Sequence, residues 1–146
     1  MKTPKGRSYI ALFRAVMLTH HALQHLARRV ATRFGLQSAE LNVIDVLGKF
    51  GATTMGELAR RTFISPASTT RTVKDLEARK LVVRRRHAES ERIVMVALTP
   101  KGQALFRECF PAIFALAVGY FDAKLAPAER MRLVKLLEKL AGPMDF

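Results

Sequence analysis

The chain has 146 residues, of which 49% are hydrophobic and 25% are charged, and its formal net charge is +13. This length allows one domain with a hydrophobic core, and the composition excludes an intrinsically disordered chain. We find no run of eighteen apolar residues and no signal peptide with a cleavage site, so we expect a protein of a bacterial-type cytoplasm without a membrane span.

The first part of the chain predicts two helices. Apolar residues recur at helical spacing over residues 9–34, and Gly35 follows as a stop, which predicts one long helix. Ser38 is expected to cap a second helix that ends near residues 50–51. The apolar stripe of this second helix is formed by Leu41, Ile44, Val46 and Leu47.

A short helix and a capped helix are predicted next. Thr54 precedes a short third helix over residues 55–61. Ser65 followed by Pro66 predicts the start of a fourth helix, because serine caps free amides and proline is tolerated at the first helical position. We expect this fourth helix to end at about Arg79.

A β-hairpin is predicted after the fourth helix. Residues 81–85 and 93–98 alternate in polarity or carry β-branched side chains, and the polar segment 86–92 lies between them. The order of short helix, tight turn, capped helix and hairpin is typical of a winged helix-turn-helix. We therefore predict a mainly α fold class with a small β wing.

Two further helices complete the predicted fold. Thr99 and Pro100 begin a fifth helix that should reach about residue 121, with a kink at Pro111. A last helix is expected to start at Pro127 and to stop at residues 142–143. We predict that this last helix buries Met131, Val134, Leu137 and Leu140.

Positive charge is concentrated in two segments. Residues 1–33 contain seven Lys or Arg and no acid, and residues 60–92 contain ten basic and four acidic residues, so these segments carry +7 and +6. The remaining residues sum to zero. Such localised charge suits a polyanion, because each neutralised phosphate releases condensed counterions. Charge alone does not separate DNA from RNA or anionic lipid.

The fourth helix is the predicted DNA-contacting element. With Val73 at the centre of the inner face, Pro66, Thr69, Thr70, Leu76 and Glu77 lie near it, and the outward face is small, hydroxylic and cationic. Arg71 can offer a bidentate fork to guanine. The alternative is a charged, solvated face without a ligand. We predict DNA contacts from Ser65, Ala67, Ser68, Arg71, Thr72 and Lys74.

The hairpin offers a second predicted DNA contact. Arg84, Arg85, Arg86 and Arg92 bracket a short loop over residues 87–91, and an arginine at a wing tip can enter a narrow minor groove. Two acids in this loop, Glu89 and Glu91, are expected to orient the arginines. Alternatively, the charges only keep the strand edge from pairing.

These residues resemble the MarR family of bacterial regulators. The family's wing signature, DxRxxxVxLTxxG, is met by Arg92, Val96, Leu98, Thr99 and Gly102. Three positions depart from the family pattern, with Ser90 for the aspartate, Lys80 for the glycine after the fourth helix, and Ala126 for a capping hydroxyl. Further matches are Leu58, Ala59, Ser65, Ser68, Thr69, Arg71, Val73 and residues 76–82.

The resemblance implies a single MarR-like domain over residues 1–146, with dimerisation helices at 1–35 and 100–146 and a DNA-binding lobe at 38–99. It also implies a homodimeric repressor that leaves a palindromic operator when a small aromatic or anionic effector binds. The fifth helix is apolar almost all round, which fits a second copy covering it. A non-specific nucleic-acid-coating or architectural protein and a membrane-surface protein are the alternatives.

The first helix contains a further candidate site. Met17, His20, His21 and His25 could line an effector pocket. His21 and His25, spaced i, i+4, could instead share a zinc ion, but no cysteine or carboxylate stands near them in sequence. We expect no metal and no cofactor. Because no nucleophile has a paired base and no phosphate-binding glycine loop is present, we also expect no enzymatic activity.

Overall fold

The computed structural model describes residues 4–87 and 90–142. The predicted mainly α class with a small β wing is confirmed. The first helix begins earlier than predicted, at Pro4. In chain order the elements are α1 (Pro4–Arg33), α2 (Ser38–Phe50), β1 (Thr53–Thr54), α3 (Met55–Thr62), α4 (Pro66–Ala78), β2 (Val82–His87), β3 (Ser90–Leu98), α5 (Pro100–Asp122) and α6 (Pro127–Ala141).

The chain divides into two compact units, residues 1–110 and 111–146. The first unit has a hydrophobic core where α2, α3, α4 and the sheet meet. In the second unit, none of the described residues 111–142 is buried. The largest fully buried side chains of the first unit are Ile44, Leu58, Leu76, Val43, Val73, Val82, Val96, Thr69 and Cys109.

The predicted burial along α6 is wrong for the single chain. The four residues expected to be buried are 38% to 66% exposed. A unit of two helices has no second layer to cover both apolar stripes, so these side chains stay open. They are Met131, Val134, Leu137 and Leu140.

The α5 helix is the only described helix long and apolar enough to cross a membrane by length and composition, and 6% of its apolar window is buried. The sequence expectation of no span relied on the lack of an unbroken apolar run, whereas a hydropathy average tolerates a few charged residues. The core helix of a soluble protein passes the same test. Length and composition therefore do not assign α5 to a membrane.

The sheet contains a short strand that the sequence did not predict. β1 pairs antiparallel with β3 through Thr53 opposite Val96 and Thr54 opposite Met95, and the strand order is β1-β3-β2. Two residues are too few to show a periodicity, so no local pattern indicates this strand. It attaches the wing to the start of α3.

The wing strands extend further than predicted. Arg86 lies opposite Val94, and His87 lies opposite Ser90 after a register irregularity. Arg86 and Arg92 are therefore strand residues, and the predicted loop over 87–91 is too long. A two-stranded ribbon that projects into solvent needs no apolar alternation, so its charged ends gave no strand signal. The predicted roles of Glu89 and of the Glu91 side chain lie outside the described residues.

The helix starts follow the predicted capping pattern with one correction. Thr54 and Ser65 cap α3 and α4 as predicted, each accepting a backbone N–H bond at 3.2 Å. Gln37, not Ser38, is the N-cap residue of α2, and the Glu40 carboxylate accepts its backbone N–H at 2.8 Å. Before α6, the Ala126 N–H likewise donates to Glu129 at 2.8 Å, so half of a capping box forms without a hydroxyl.

The junction between α4, β2 and α5 explains part of the wing signature. Lys80 is left-handed with φ 60°, and the helix ends with Leu81 N–H donating to the Leu76 carbonyl at 2.9 Å. The Thr99 hydroxyl donates to the Lys80 carbonyl at 2.7 Å. A Cβ on Gly102 would lie 2.0 Å from the Leu81 carbonyl oxygen, so only glycine lets α5 start this close.

Candidate nucleic-acid interface

The N-terminal end of α4 is an exposed, hydroxyl-rich segment, residues 65–68, which we call the α4 tip. Every residue of the tip is exposed. Ser65 Oγ accepts a hydrogen bond from the Ser68 N–H at 3.2 Å and donates to Ser68 Oγ at 2.9 Å. The tip is also the positive end of the α4 helix dipole, which suits an anionic ligand. The predicted contacts Ser65, Ala67 and Ser68 all lie in this tip.

The buried face of α4 is rotated from its predicted position. Thr72, predicted to face outward, is only 7% exposed, whereas Pro66 and Thr70, predicted to face inward, are exposed. At about 100° per residue, the buried stripe centres roughly 50° around the helix from Val73. The reason is that α4 packs against both α2 and α3, so two sides of the helix are covered. Thr70 therefore replaces Thr72 on the outward face.

Two cations occupy the middle of the outward face. Arg71 and Lys74 are exposed, as predicted. Within the part of the chain that the structure describes, neither side chain makes a hydrogen bond or an ion pair. Their charges are therefore available to a ligand that approaches along α4.

Arg84, by contrast, is bound to the helix. Its Nε and Nη2 atoms donate to Glu77 Oε2 at 2.9 and 2.6 Å, which joins the wing to α4. This hydrogen bond lowers the pKa of the Glu77 carboxyl and raises the pKa of Arg84. The sequence analysis placed Arg84 among the DNA contacts of the wing, but the structure directs its guanidinium to a carboxylate of the same chain.

The other wing arginines are exposed on the ribbon. Arg85 and Arg86 are consecutive strand residues, so their side chains leave opposite faces. Arg92 is exposed on β3. The wing thus carries cations on both faces, and Arg86 shares a face with Arg84.

The C-terminal end of α4 is held by Arg79, the residue at which the sequence predicts the end of this helix. Arg79 Nη1 donates to both carboxylate oxygens of Glu40 at 3.1 and 3.0 Å, and Nη2 donates to the Gly35 carbonyl at 3.1 Å. Glu40 is only 7% exposed. These contacts span 39 and 44 residues, so no local pattern predicts them. They attach the end of α4 to the joint between α1 and α2.

The cations of α3 are also engaged. Arg60 donates to the Glu57 carboxylate at 2.9 and 2.7 Å, and Arg61 Nε donates to it at 2.6 Å. The hydrogen bond from Arg60, followed by that from Arg61, lowers the pKa of Glu57 to about 2. The charge of α3 is therefore partly neutralised within the helix.

The predicted effector residues lie along one helix. Met17 is 50% exposed, and His20, His21 and His25 are exposed. Over residues 4–87 and 90–142, no group of three or more His, Cys, Asp or Glu side chains could hold a metal ion. The assignment of these four residues to an effector pocket stays a prediction.

The single cysteine is a buried thiol. Cys109 is 1% exposed, and burial, together with the charge of Glu108, raises its pKa to about 11. Because the thiolate is the nucleophile, a thiol with this pKa is unreactive at neutral pH.

Comparison of the sequence with known proteins points to one family of transcriptional regulators. The sequence model of the MarR family matches residues 34–93. The transcriptional repressor MdtR of Bacillus subtilis is 27% identical over 107 residues, which cover 73% of this chain and 68% of MdtR.

Solved structures extend the likeness to most of the chain. BpsR of Bordetella bronchiseptica, whose DNA binding is regulated by 6-hydroxynicotinic acid, is 27% identical with a TM-score of 0.80, covering 90% of this chain and 98% of BpsR. A mutant of MarR from E. coli, complexed with operator DNA, shares the fold with a TM-score of 0.81 and 21% identity, covering 92% of this chain and 96% of MarR.

Proposed function

Because this chain belongs to the MarR family of winged helix-turn-helix transcriptional regulators, we propose that it binds a palindromic operator as a homodimer and represses transcription until a small aromatic or anionic effector releases it. The observation that carries the proposal is the presentation of α4. Its tip and its cations face outward, while Arg79 and Glu77 tie the helix to α2 and to the wing.

The proposed DNA contacts follow from this presentation. The small side chains of the α4 tip let the backbone approach the major groove, and Arg71 can form a bidentate contact to guanine. Lys74 and Thr70 lie on the same outward side and suit phosphates. Arg85, Arg86 and Arg92 of the wing suit the adjacent minor groove, where a narrow groove concentrates negative potential.

The proposed homodimer would cover the apolar surface that the single chain leaves open. In α1, none of the residues 7–29 is buried, and in the second unit none of the described residues is. Exposed apolar surface on this scale marks an interaction site. The exposed side chains are Tyr9, Ile10, Leu12, Phe13, Val16, Met17 and Leu18 in α1, and Phe114, Val118, Met131, Val134, Leu136, Leu137 and Leu140 in the second unit.

The proposed effector is a small aromatic acid. The supporting features are the absence of any acidic residue from residues 1–33 and the three histidines of α1, which can donate hydrogen bonds to a carboxylate. BpsR, at 27% identity, is regulated by such an acid, 6-hydroxynicotinic acid. We place the pocket at Met17, His20, His21 and His25.

One experiment tests operator recognition against the alternative of a non-specific DNA-coating protein, which the net charge of +13 favours. Duplexes are selected from random-sequence DNA with the purified chain. Binding of the best duplex and of a scrambled one is then measured by fluorescence anisotropy across a salt series. A specific regulator should prefer the selected duplex by about a thousandfold or more. Equal affinities with equal salt slopes would establish a coating protein.

Two further measurements test the other parts of the proposal. The chain should sediment as a dimer at micromolar concentration, and a monomer would contradict the dimer. Addition of 6-hydroxynicotinate or a related aromatic acid should weaken operator binding. In the double variant His21→Ala, His25→Ala, the same acid should act only at a higher concentration. An unchanged response in this variant would exclude the pocket at these histidines.

A further inference from the structure

Phe63, in the turn between α3 and α4, combines two unfavourable properties. Its backbone is left-handed, with φ 56° and ψ 27°, at the C-cap of α3. A residue with a Cβ is disfavoured there, and glycine is the ordinary choice. Its side chain is 94% exposed, more than any other large hydrophobic residue that the structure describes. In the single chain, the ring therefore makes almost no packing contacts that could offset the backbone strain.

Strained backbone held against its preference is characteristic of binding and switch sites. A glycine at position 63 would relieve the strain and remove the exposed ring together. Folding of the single chain therefore gives no reason for a phenylalanine here. This points to a ligand that the ring contacts outside the chain.

The position of Phe63 indicates the ligand. It stands two residues before Ser65, the N-cap of α4, and the exposed α4 tip begins directly after Ile64. The N-terminal end of a recognition helix is the end that contacts base edges in the major groove. An aromatic ring next to this tip is suited to contact the one apolar group that the major groove displays, the 5-methyl of thymine.

We propose that Phe63 contacts the 5-methyl group of a thymine in each half-site and so supplies a sequence preference that the hydroxyl and cationic residues of α4 do not provide. This inference rests on the proposed DNA-binding function. It assigns a specificity-determining role to a side chain outside the recognition helix itself.

The test removes the methyl group and the ring separately. The probe is the tightest duplex selected from random-sequence DNA by the full chain, and each thymine of a half-site is replaced in turn by uracil, which lacks only the 5-methyl. One such replacement should weaken wild-type binding about fourfold, the effect of losing one buried methyl-sized group. Phe63→Gly should weaken binding of the unmodified duplex by at least the same factor. In this variant, replacing that same thymine by uracil should not weaken binding any further.

A matched control separates the ring from the backbone. Lys80 is the other described non-glycine residue with a positive φ, at 60°. Lys80→Gly relaxes a left-handed residue at the opposite end of α4, and it should keep the full dependence on the thymine methyl. Phe63→Gly should melt at or above the wild-type temperature, so that its weaker binding does not reflect unfolding.

The outcomes are distinct. The thymine contact is wrong if Phe63→Gly binds like the wild type, or if the variant still binds the thymine duplex about fourfold more tightly than the uracil duplex. In either case, a wild-type preference for the selected duplex would still support the proposed function. If the wild type itself does not prefer the selected duplex over scrambled DNA, the proposed function fails, and the inference fails with it.

Discussion

Removing Arg79 should destabilise the fold, because it would leave a buried carboxylate without its cation. Arg79→Ala deletes three hydrogen bonds of 3.0 to 3.1 Å, two to Glu40 and one to the Gly35 carbonyl. The Gln37 N–H, at 2.8 Å, would be the partner left to Glu40 among the contacts described. Arg79→Ala therefore tests how strongly the end of α4 is attached to α2.

The expected loss in the free energy of unfolding is about 2 kcal/mol. Breaking a fully buried ion pair costs about 3 to 5 kcal/mol, whereas an exposed pair is worth at most about 1 kcal/mol. Here the Glu40 side chain is 9% exposed and the Arg79 side chain is 40% exposed, so the pair lies between these limits. Unfolding 146 residues at about 2.1 cal/mol/K of entropy per residue means that this loss in free energy lowers the Tm by roughly 6 °C.

The assay is thermal and urea unfolding at one fixed protein concentration, because the stability of the proposed dimer would depend on concentration. Lys49→Ala is the matched control, since it breaks an ion pair with Asp45 in which both partners are partly exposed, at 43% and 24%. That change should cost less than about 0.5 kcal/mol. Adding Glu40→Gln to Arg79→Ala should recover part of the loss, because the uncompensated charge is then gone. If Arg79→Ala were no more destabilising than Lys49→Ala, the attachment argument would be refuted.

Three other predictions concern the junction, the α3 cluster and the wing. Gly102→Ala should lower the free energy of unfolding by about 1 to 3 kcal/mol in urea, because its Cβ would lie 2.0 Å from a backbone oxygen, whereas Gly56→Ala, in open space, should not be destabilising. The pKa of Glu57 should be about 2 by NMR titration, and Arg60→Gln should raise it toward 4.5. Because the pKa of Glu57 is lower in the folded state, the charged Glu57 stabilises the fold above about pH 4.5, and this stabilisation is lost as the pH falls through about 2. Arg84→Ala should weaken operator binding without changing the salt slope, and a slope reduced by about 1 would show a phosphate contact instead.

Much of the element order could be predicted because each element carries its own local signal. Ser65 and Pro66 mark the start of α4, and Thr99 and Pro100 mark the start of α5. β1 has no such signal, since it consists of two residues whose partners on β3 lie about forty residues further along the chain. A strand that exists only through its pairing cannot be seen in a local pattern.

The candidate site was predicted in composition but not in its contacts. The α4 tip and Arg71 are exposed as predicted, because small, hydroxylic and cationic residues rarely form a core face. The burial of Thr72 depends on two packing partners of α4, which fix the rotation of the helix only once the fold is complete. The partner of Arg79 comes from a helix 39 positions earlier, and a spacing of this size has no periodicity to detect.

These contacts also change what the positive charge of residues 60–92 means. Several arginines of this segment are committed to carboxylates: Arg79 to Glu40, Arg84 to Glu77, and Arg60 and Arg61 to Glu57. A guanidinium already neutralised by a carboxylate releases few counterions from DNA, so it adds little sequence-independent affinity. Arg84 instead holds the wing to α4, and Arg79 holds the end of α4 to α2. In the proposed operator complex, the affinity for phosphates would then come mainly from cations such as Arg71 and Lys74, while sequence preference would depend on how rigidly Arg79 and Arg84 hold the α4 tip against the base edges.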